Sequence, residues 1–175
     1  ETLFEGNIEQ VGIVLAALSI AVVGFFDDTR DLAPPAKVTG IVVAAMVLTW
    51  FGATMYYFRV PYLDVFILSG DWQPVVTVIW LLGMTQAINL IDGLDGLAAG
   101  IVAIGAGAFF LYAFKLSDIG LLRQPNLGPL VAIIAAGVAA GFLPHNFNPA
   151  TTFMGDGGAF LLGLLLAVAT GMVGG

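Results

Sequence analysis

The chain has 175 residues, 59% hydrophobic and only 10% charged, with a mean hydropathy of +1.01 and a formal net charge of −7. An ordinary soluble domain is about 25% charged, so this composition implies an integral membrane protein with the lipid bilayer as its main partner. The acidic balance argues against a nucleic-acid partner, and the lack of cysteine excludes a disulfide framework and a thiolate metal site.

Glu1 to Gln10 are polar and acidic and lack the basic start of a signal peptide. A spanning helix needs about 20 apolar residues. A first span is predicted from about Ile8 to Phe26, ending at Asp27-Asp28-Thr29-Arg30-Asp31, with Pro34-Pro35 closing the polar loop. A second runs from about Ala36 to Tyr57. Its far end carries Trp50, Tyr56, Tyr57 and Phe58, a pattern of interfacial aromatics. Arg59 to Gln73 form a loop containing Pro61, Asp64, Gly70 and Asp71, in which Val65 to Leu68 read as half of a short hairpin. The third span covers about Pro74 to Ile91 and the fourth about Leu94 to Phe114. After a loop from Lys115 to Asn126, the fifth runs from about Leu127 to Leu143 and ends in Pro144-His145-Asn146-Phe147-Asn148-Pro149. The sixth starts after Asp156 and continues to Gly174-Gly175, inside an apolar stretch. The expectation is an all-α, polytopic transmembrane bundle of about six spans. Residues 1–175 read as one catalytic domain, an internal piece of a longer protein truncated at both ends.

Six spans sort the polar residues by parity. Asp27 and Asp28, the stretch from Asn89 to Asp95, and the stretch from Asn146 to Asp156 fall on one membrane face. Asp64 and Asp118 fall on the other. Basic residues do not orient the protein, because Arg30 and Lys37 lie on the motif side and Arg59, Lys115 and Arg123 opposite.

Each cluster has an ordinary reading and a functional one. Asp27 and Asp28 could mark a solvated helix end, yet acids there face the negative end of the helix dipole. Arg30 and Lys37 follow as suitable donors for phosphate oxygens. Asn89, Asp92 and Asp95 recur every third residue, which on a helix places them on one face, with Gly93 and Gly96 leaving room for close approach. They could form a hydrogen-bonded polar turn, but two like charges so close favour a cation or a shared proton. Asp156, in Gly155-Asp156-Gly157-Gly158, could simply be an N-cap. His145, the only histidine, is left outside the core site. The motif face thus gathers six aspartates, at 27, 28, 31, 92, 95 and 156. Carboxylates with few imidazoles suit Mg²⁺, or Mn²⁺ in its place, rather than zinc.

The motifs Gly24-Phe25-Phe26-Asp27-Asp28 with Ala36-Lys37, then Asn89 to Gly100, then Asn146-Phe147-Asn148-Pro149-Ala150 through Phe153-Met154-Gly155-Asp156, resemble the polyprenyl-phosphate N-acetylhexosamine-1-phosphate transferases. They occur in the family's order over nearly the whole chain, and Asn-Phe-Asn-Pro-Ala is more similar to the GlcNAc branch than to the peptidoglycan-precursor branch. The resemblance implies Mg²⁺-dependent transfer of a sugar-1-phosphate from a UDP-sugar to polyprenyl phosphate, with release of UMP. It implies Asp27 or Asp28 as the group activating the lipid phosphate and Lys37 as a phosphate holder. Asn89, Asp92, Asp95 and Asn146 would shape the nucleotide and metal site, with Asp156, together with Asp92, on the metal. It further implies a multi-pass protein of the bacterial inner membrane, active on its cytoplasmic face, compatible with a homodimer. Ile41 and Ala159 depart from the family's usual Gln and Ser, and its N-terminal spans and His-rich loop are not in the chain. Two other readings compete: a prenyltransferase using Asp27-Asp28-x-x-Asp31, and an ion-coupled transporter with intramembrane acids.

Overall fold

The computed structural model describes residues 5–60, 64–122 and 126–174. Among the described residues there are six helices: α1 (Glu5–Arg30), α2 (Pro34–Trp50), α3 (Trp72–Ile91), α4 (Leu97–Asp118), α5 (Gly128–Asn146) and α6 (Gly155–Gly174). Five are long and apolar enough to cross a membrane. The exception is α2, with 17 residues, or about 25 Å at 1.5 Å per residue. It was expected to reach Tyr57. It stops at Trp50 because the chain turns at Gly52, whose φ of +88° is a conformation that glycine enters freely. The six-helix bundle therefore forms with five full-length spans.

The expected half-hairpin is a complete one. Strand β1 (Tyr57–Val60) runs antiparallel to β2 (Asp64–Ile67), with Tyr57 opposite Ile67 and Val60 opposite Asp64. Its turn, with Pro61, lies outside the described residues, as does Arg123 in the α4–α5 connection. The aromatic end of α2 divides in two. Trp50 is 88% exposed, as an interfacial ring would be, whereas the Tyr57 hydroxyl donates to the Val173 carbonyl at 3.2 Å and ties the hairpin to the end of α6. The side chain of Phe58 lies outside the described residues.

The bundle is organised around α6. Of its apolar stretch 61% is buried, against 22–33% for the other four long helices. Helices α1, α3, α4 and α5 all pack on it. Small residues make this contact close, as is usual where helices associate in lipid. A Cβ added at Gly163 would lie 2.6 Å from the Thr85 Cα on α3, and one added at Gly24 of α1 would fall onto the Gly157 Cα. Outward faces are apolar, with Val22, Phe25, Ile79, Ile104 and Leu111 all exposed. Ile41 and Ala159, the two departures from the family pattern, are both fully buried.

Candidate functional site

At one end of the bundle four separate pieces of chain meet, as parity predicts: the last turn of α1, the first turn of α2, the end of α3 with its following turn, and the α5–α6 connection. A cavity of about 320 Å³ opens there, with Asp28, Asn89, Asp92, Asp95, Asn146 and Asp156 among its walls. Leu94 and Phe153 also line it and are largely exposed. Sequence reasoning passed over both, since an apolar residue in so apolar a chain carries no signal.

An ion network closes one side. Lys37 Nζ lies 2.8 Å from Asp27 Oδ2 and 3.1 Å from Asp156 Oδ2. Asn89 Nδ2 donates to the other Asp156 oxygen. Asp27 is 3% exposed. Its Oδ1 accepts the Leu32 N–H at 3.0 Å, which closes the chain behind α1, and its Oδ2 pairs with the lysine. Asp31 takes a positive φ of 49° at this exit, is exposed, and does not join the cavity wall. The Asp27-Asp28-x-x-Asp31 motif therefore does not act as one cluster, which removes the geometric basis for the prenyltransferase reading.

Lys37 neutralises a carboxylate that has left water, so its loss has a calculable cost. Breaking a buried pair by removing one partner typically costs about 3–5 kcal/mol. Lys37→Met is expected to destabilise the protein by an amount near the low end of that range, about 3 kcal/mol, because the lysine side chain keeps 23% exposure. The double variant Asp27→Asn/Lys37→Met should regain much of this, since it leaves no buried charge. Denaturant midpoints in detergent check it; equal losses in the single and double variants would sink the pairing account.

Asn89, Asp92 and Asp95 do not share a helix face. Helix α3 ends at Ile91, Asp92 follows as its cap, and Gly96 at φ +75° leads into α4. The three residues consequently point to different tasks. Asn89 reaches Asp156. Asp95 accepts from Asn148 Nδ2 at 3.1 Å and from the Ala150 N–H at 3.0 Å. Asn146, 2% exposed, accepts the Gly96 N–H at 3.0 Å and donates to the Thr152 carbonyl at 3.1 Å. Asp95 and Asn146 thus lock the 92–96 turn to the 146–152 loop.

The Asp92 side chain makes no hydrogen bond or ion pair among the described residues and lines the cavity. Burial, and secondarily the charge of Asp156, push its carboxyl above the ordinary carboxylate range. Asp92 and Asp156 are therefore a carboxylate pair with a surplus of negative charge. No group of three acids or imidazoles among the described residues converges into a metal cage. Mg²⁺ ordinarily takes one or two carboxylates and draws its other ligands from phosphate and water. The donor set fits such an ion arriving with a phosphorylated substrate.

Asp28 is the feature that sequence reasoning missed most. Both its oxygens receive backbone N–H groups of α6, from Asp156 at 2.7 Å and Gly157 at 3.1 Å. The available sign was that Met154, just ahead of α6, has no side-chain oxygen to cap it.

The sequence profile described as glycosyl transferase family 4 matches residues 10–174. A Bacillus subtilis (strain 168) protein named probable undecaprenyl-phosphate N-acetylglucosaminyl 1-phosphate transferase is 35% identical over 156 residues, 89% of this chain and 42% of the relative. The decaprenyl-phosphate N-acetylglucosaminephosphotransferase of Mycobacterium tuberculosis (strain ATCC 25618 / H37Rv) is 34% identical over 166 residues, 90% of this chain and 40% of the relative. A phospho-N-acetylmuramoyl-pentapeptide-transferase of Lactiplantibacillus plantarum is 34% identical over 158 residues, 84% of this chain and 47% of the relative. The chain thus spans less than half the length of these relatives, and identity alone does not separate the two branches. With three motifs in order, gathered by the fold around one cavity, the chain belongs to glycosyl transferase family 4.

Proposed function

We propose that the protein containing this chain transfers a sugar-1-phosphate, GlcNAc-1-phosphate in our reading, from a UDP-sugar to polyprenyl phosphate. An oxygen of the lipid phosphate attacks the sugar-linked phosphorus, and the bond from that phosphorus to the bridging oxygen breaks. UMP leaves with the electron pair. The observation that carries this reading is the Lys37–Asp156–Asn89 network, assembled from three helices beside a polar cavity at the end of an otherwise apolar bundle. Such a place suits one substrate from water and another from lipid.

Phosphoryl transfer asks little covalent chemistry of a protein and much positioning and charge compensation. Asp156 and Asp92 would hold Mg²⁺, or Mn²⁺ in its place, which offsets diphosphate charge when bound. Lys37 adds a positive charge at the same wall, and Asp27 fixes where that ammonium sits. Asn89 orients the Asp156 carboxylate. Asp95 and Asn146 act on the nucleotide side of the cavity by holding the two loops that form it. UDP-sugars are made in the cytosol, so the cavity faces the cytoplasm. GlcNAc is favoured by Asn146-Phe147-Asn148-Pro149-Ala150, and a homodimer is compatible with the lipid-facing helices.

The test is UMP release by membranes carrying the full-length protein, given polyprenyl phosphate and UDP-GlcNAc, with and without Mg²⁺. Metal-dependent UMP together with a lipid-linked sugar is the expected result. Activity only with another UDP-sugar would correct the branch. Silence with every nucleotide sugar, from folded protein, would overturn the reading.

A further inference from the structure

Two adjacent aspartates invite a single shared role, but their contacts divide them. Asp27 is enclosed with Lys37 and the Leu32 N–H. Asp28 turns the other way, onto the start of α6. The first N–H groups of any helix lack partners within it, and the residue just before the helix usually supplies the missing oxygen. In α6 that residue is Met154, whose thioether is at best a weak acceptor. Asp28 supplies both oxygens instead, from another helix, to the Asp156 and Gly157 N–H groups.

Space has been left for it. A Cβ on Gly155 would come within 3.0 Å of the Asp28 carboxylate, and one on Gly157 within 3.2 Å. Gly155 also takes a φ of +68°, which side chains disfavour. The contact answers a problem at α1 as well. A carboxylate at that helix's C-terminus is poorly placed against its own dipole, but here it faces the positive end of α6. The second N–H it grips belongs to the turn that carries Asp156, whose side chain then reaches Lys37 and Asn89.

We infer that Asp28 is a positioning residue: it caps α6 from the last turn of α1 and thereby sets where Asp156 presents its carboxylate. Asp28 then acts on turnover through Asp156, not by meeting the substrate itself. Its link to turnover rests on the transferase reading, while the capping itself does not.

Hydrogen exchange of the full-length protein in nanodiscs tests the cap directly, because the Asp156 and Gly157 amides have no acceptor within α6. Asp28→Ala is expected to speed their exchange about tenfold, with the rest of α6 unchanged. Asp28→Asn keeps the shape and one acceptor oxygen, so it should fall between the two and serves where the alanine variant does not fold. In the UMP assay Asp28→Asn should lower kcat by about 10–100-fold, as a misplaced group does, while the acid limb of the pH–rate profile keeps its midpoint. Unchanged exchange at both amides in a folded Asp28→Ala or Asp28→Asn protein would overturn the cap. Disappearance of the acid limb in Asp28→Asn would overturn the positioning role and make Asp28 the titrating group. The exchange measurement needs no substrate, so failure of the transferase reading would show separately, as absence of UMP from the wild type.

Discussion

Replacing Asp156 by asparagine is expected to lower turnover by about a thousandfold or more, in line with losses seen when one preorganised electrostatic group is removed. The size follows from how many contacts meet at this carboxylate. One oxygen takes the Lys37 ammonium, the other takes the Asn89 amide, and the backbone N–H of the same residue is held by Asp28. An asparagine keeps the shape but loses the charge, and its amide nitrogen cannot accept from the Lys37 ammonium or the Asn89 amide as the carboxylate oxygens do. The cavity keeps Asp92 as its remaining unpaired acid. Folding should suffer little, because Lys37 retains its pair with the enclosed Asp27. The check is UMP release beside a thermal midpoint in detergent. Near wild-type turnover would remove Asp156 from the chemistry, and collapse of the fold would make it a structural residue.

Gly24→Ala should have the second largest effect, although residue 24 carries no chemistry. The added methyl would occupy the space of the Gly157 backbone, so α1 and α6 must part. Overpacking of this kind costs about 1–3 kcal/mol. Function should fall further than stability. Asp27 and Asp28 lie three and four residues along the same helix, on the face that residue 24 shares. A shift of about 1 Å between α1 and α6 pulls the Asp28 cap off its two N–H groups, and misplacement on this scale costs about 100-fold in rate. Gly105→Ala on α4 is the control, since a Cβ there meets nothing within 4 Å. Turnover and thermal midpoint measured on both variants decide it; equal behaviour of the two would show that the α1–α6 approach is not needed.

Much of this was readable from residue order. Counting apolar stretches placed Asp27, Lys37, Asn89 and Asp156 at one end of the bundle, because helix length and membrane thickness leave little freedom about which end a loop occupies. The hairpin was half visible in Val65 to Leu68. What failed were inferences that needed helix ends or helix rotation. Asn89, Asp92 and Asp95 look like one face only while the helix continues, and it stops at Ile91. The resemblance implied that Asp95 and Asn146 shape the site, but not how: each accepts a backbone N–H across the two loops that form it. The Asp28 cap depends on the close approach of Gly24 and Gly157, residues 133 positions apart, and no local pattern encodes such a pairing.

The division of contacts between Asp27 and Asp28 also bears on how the chain enters the bilayer. Helices are made in order, and α1 and α2 emerge together. Asp27 and Lys37 both lie in the α1–α2 hairpin, so the pair can neutralise itself before α3 to α6 are made, which lowers the burden of charge near lipid. Asp28 has no such companion. Its two oxygens are filled by N–H groups of α6, the first of them 128 residues further along the chain. Until then the protein holds an open carboxylate at the membrane edge and no Asp156 beside it. The arrival of α6 therefore brings Asp156 and satisfies Asp28 in the same event, so the candidate site cannot assemble before that helix is seated.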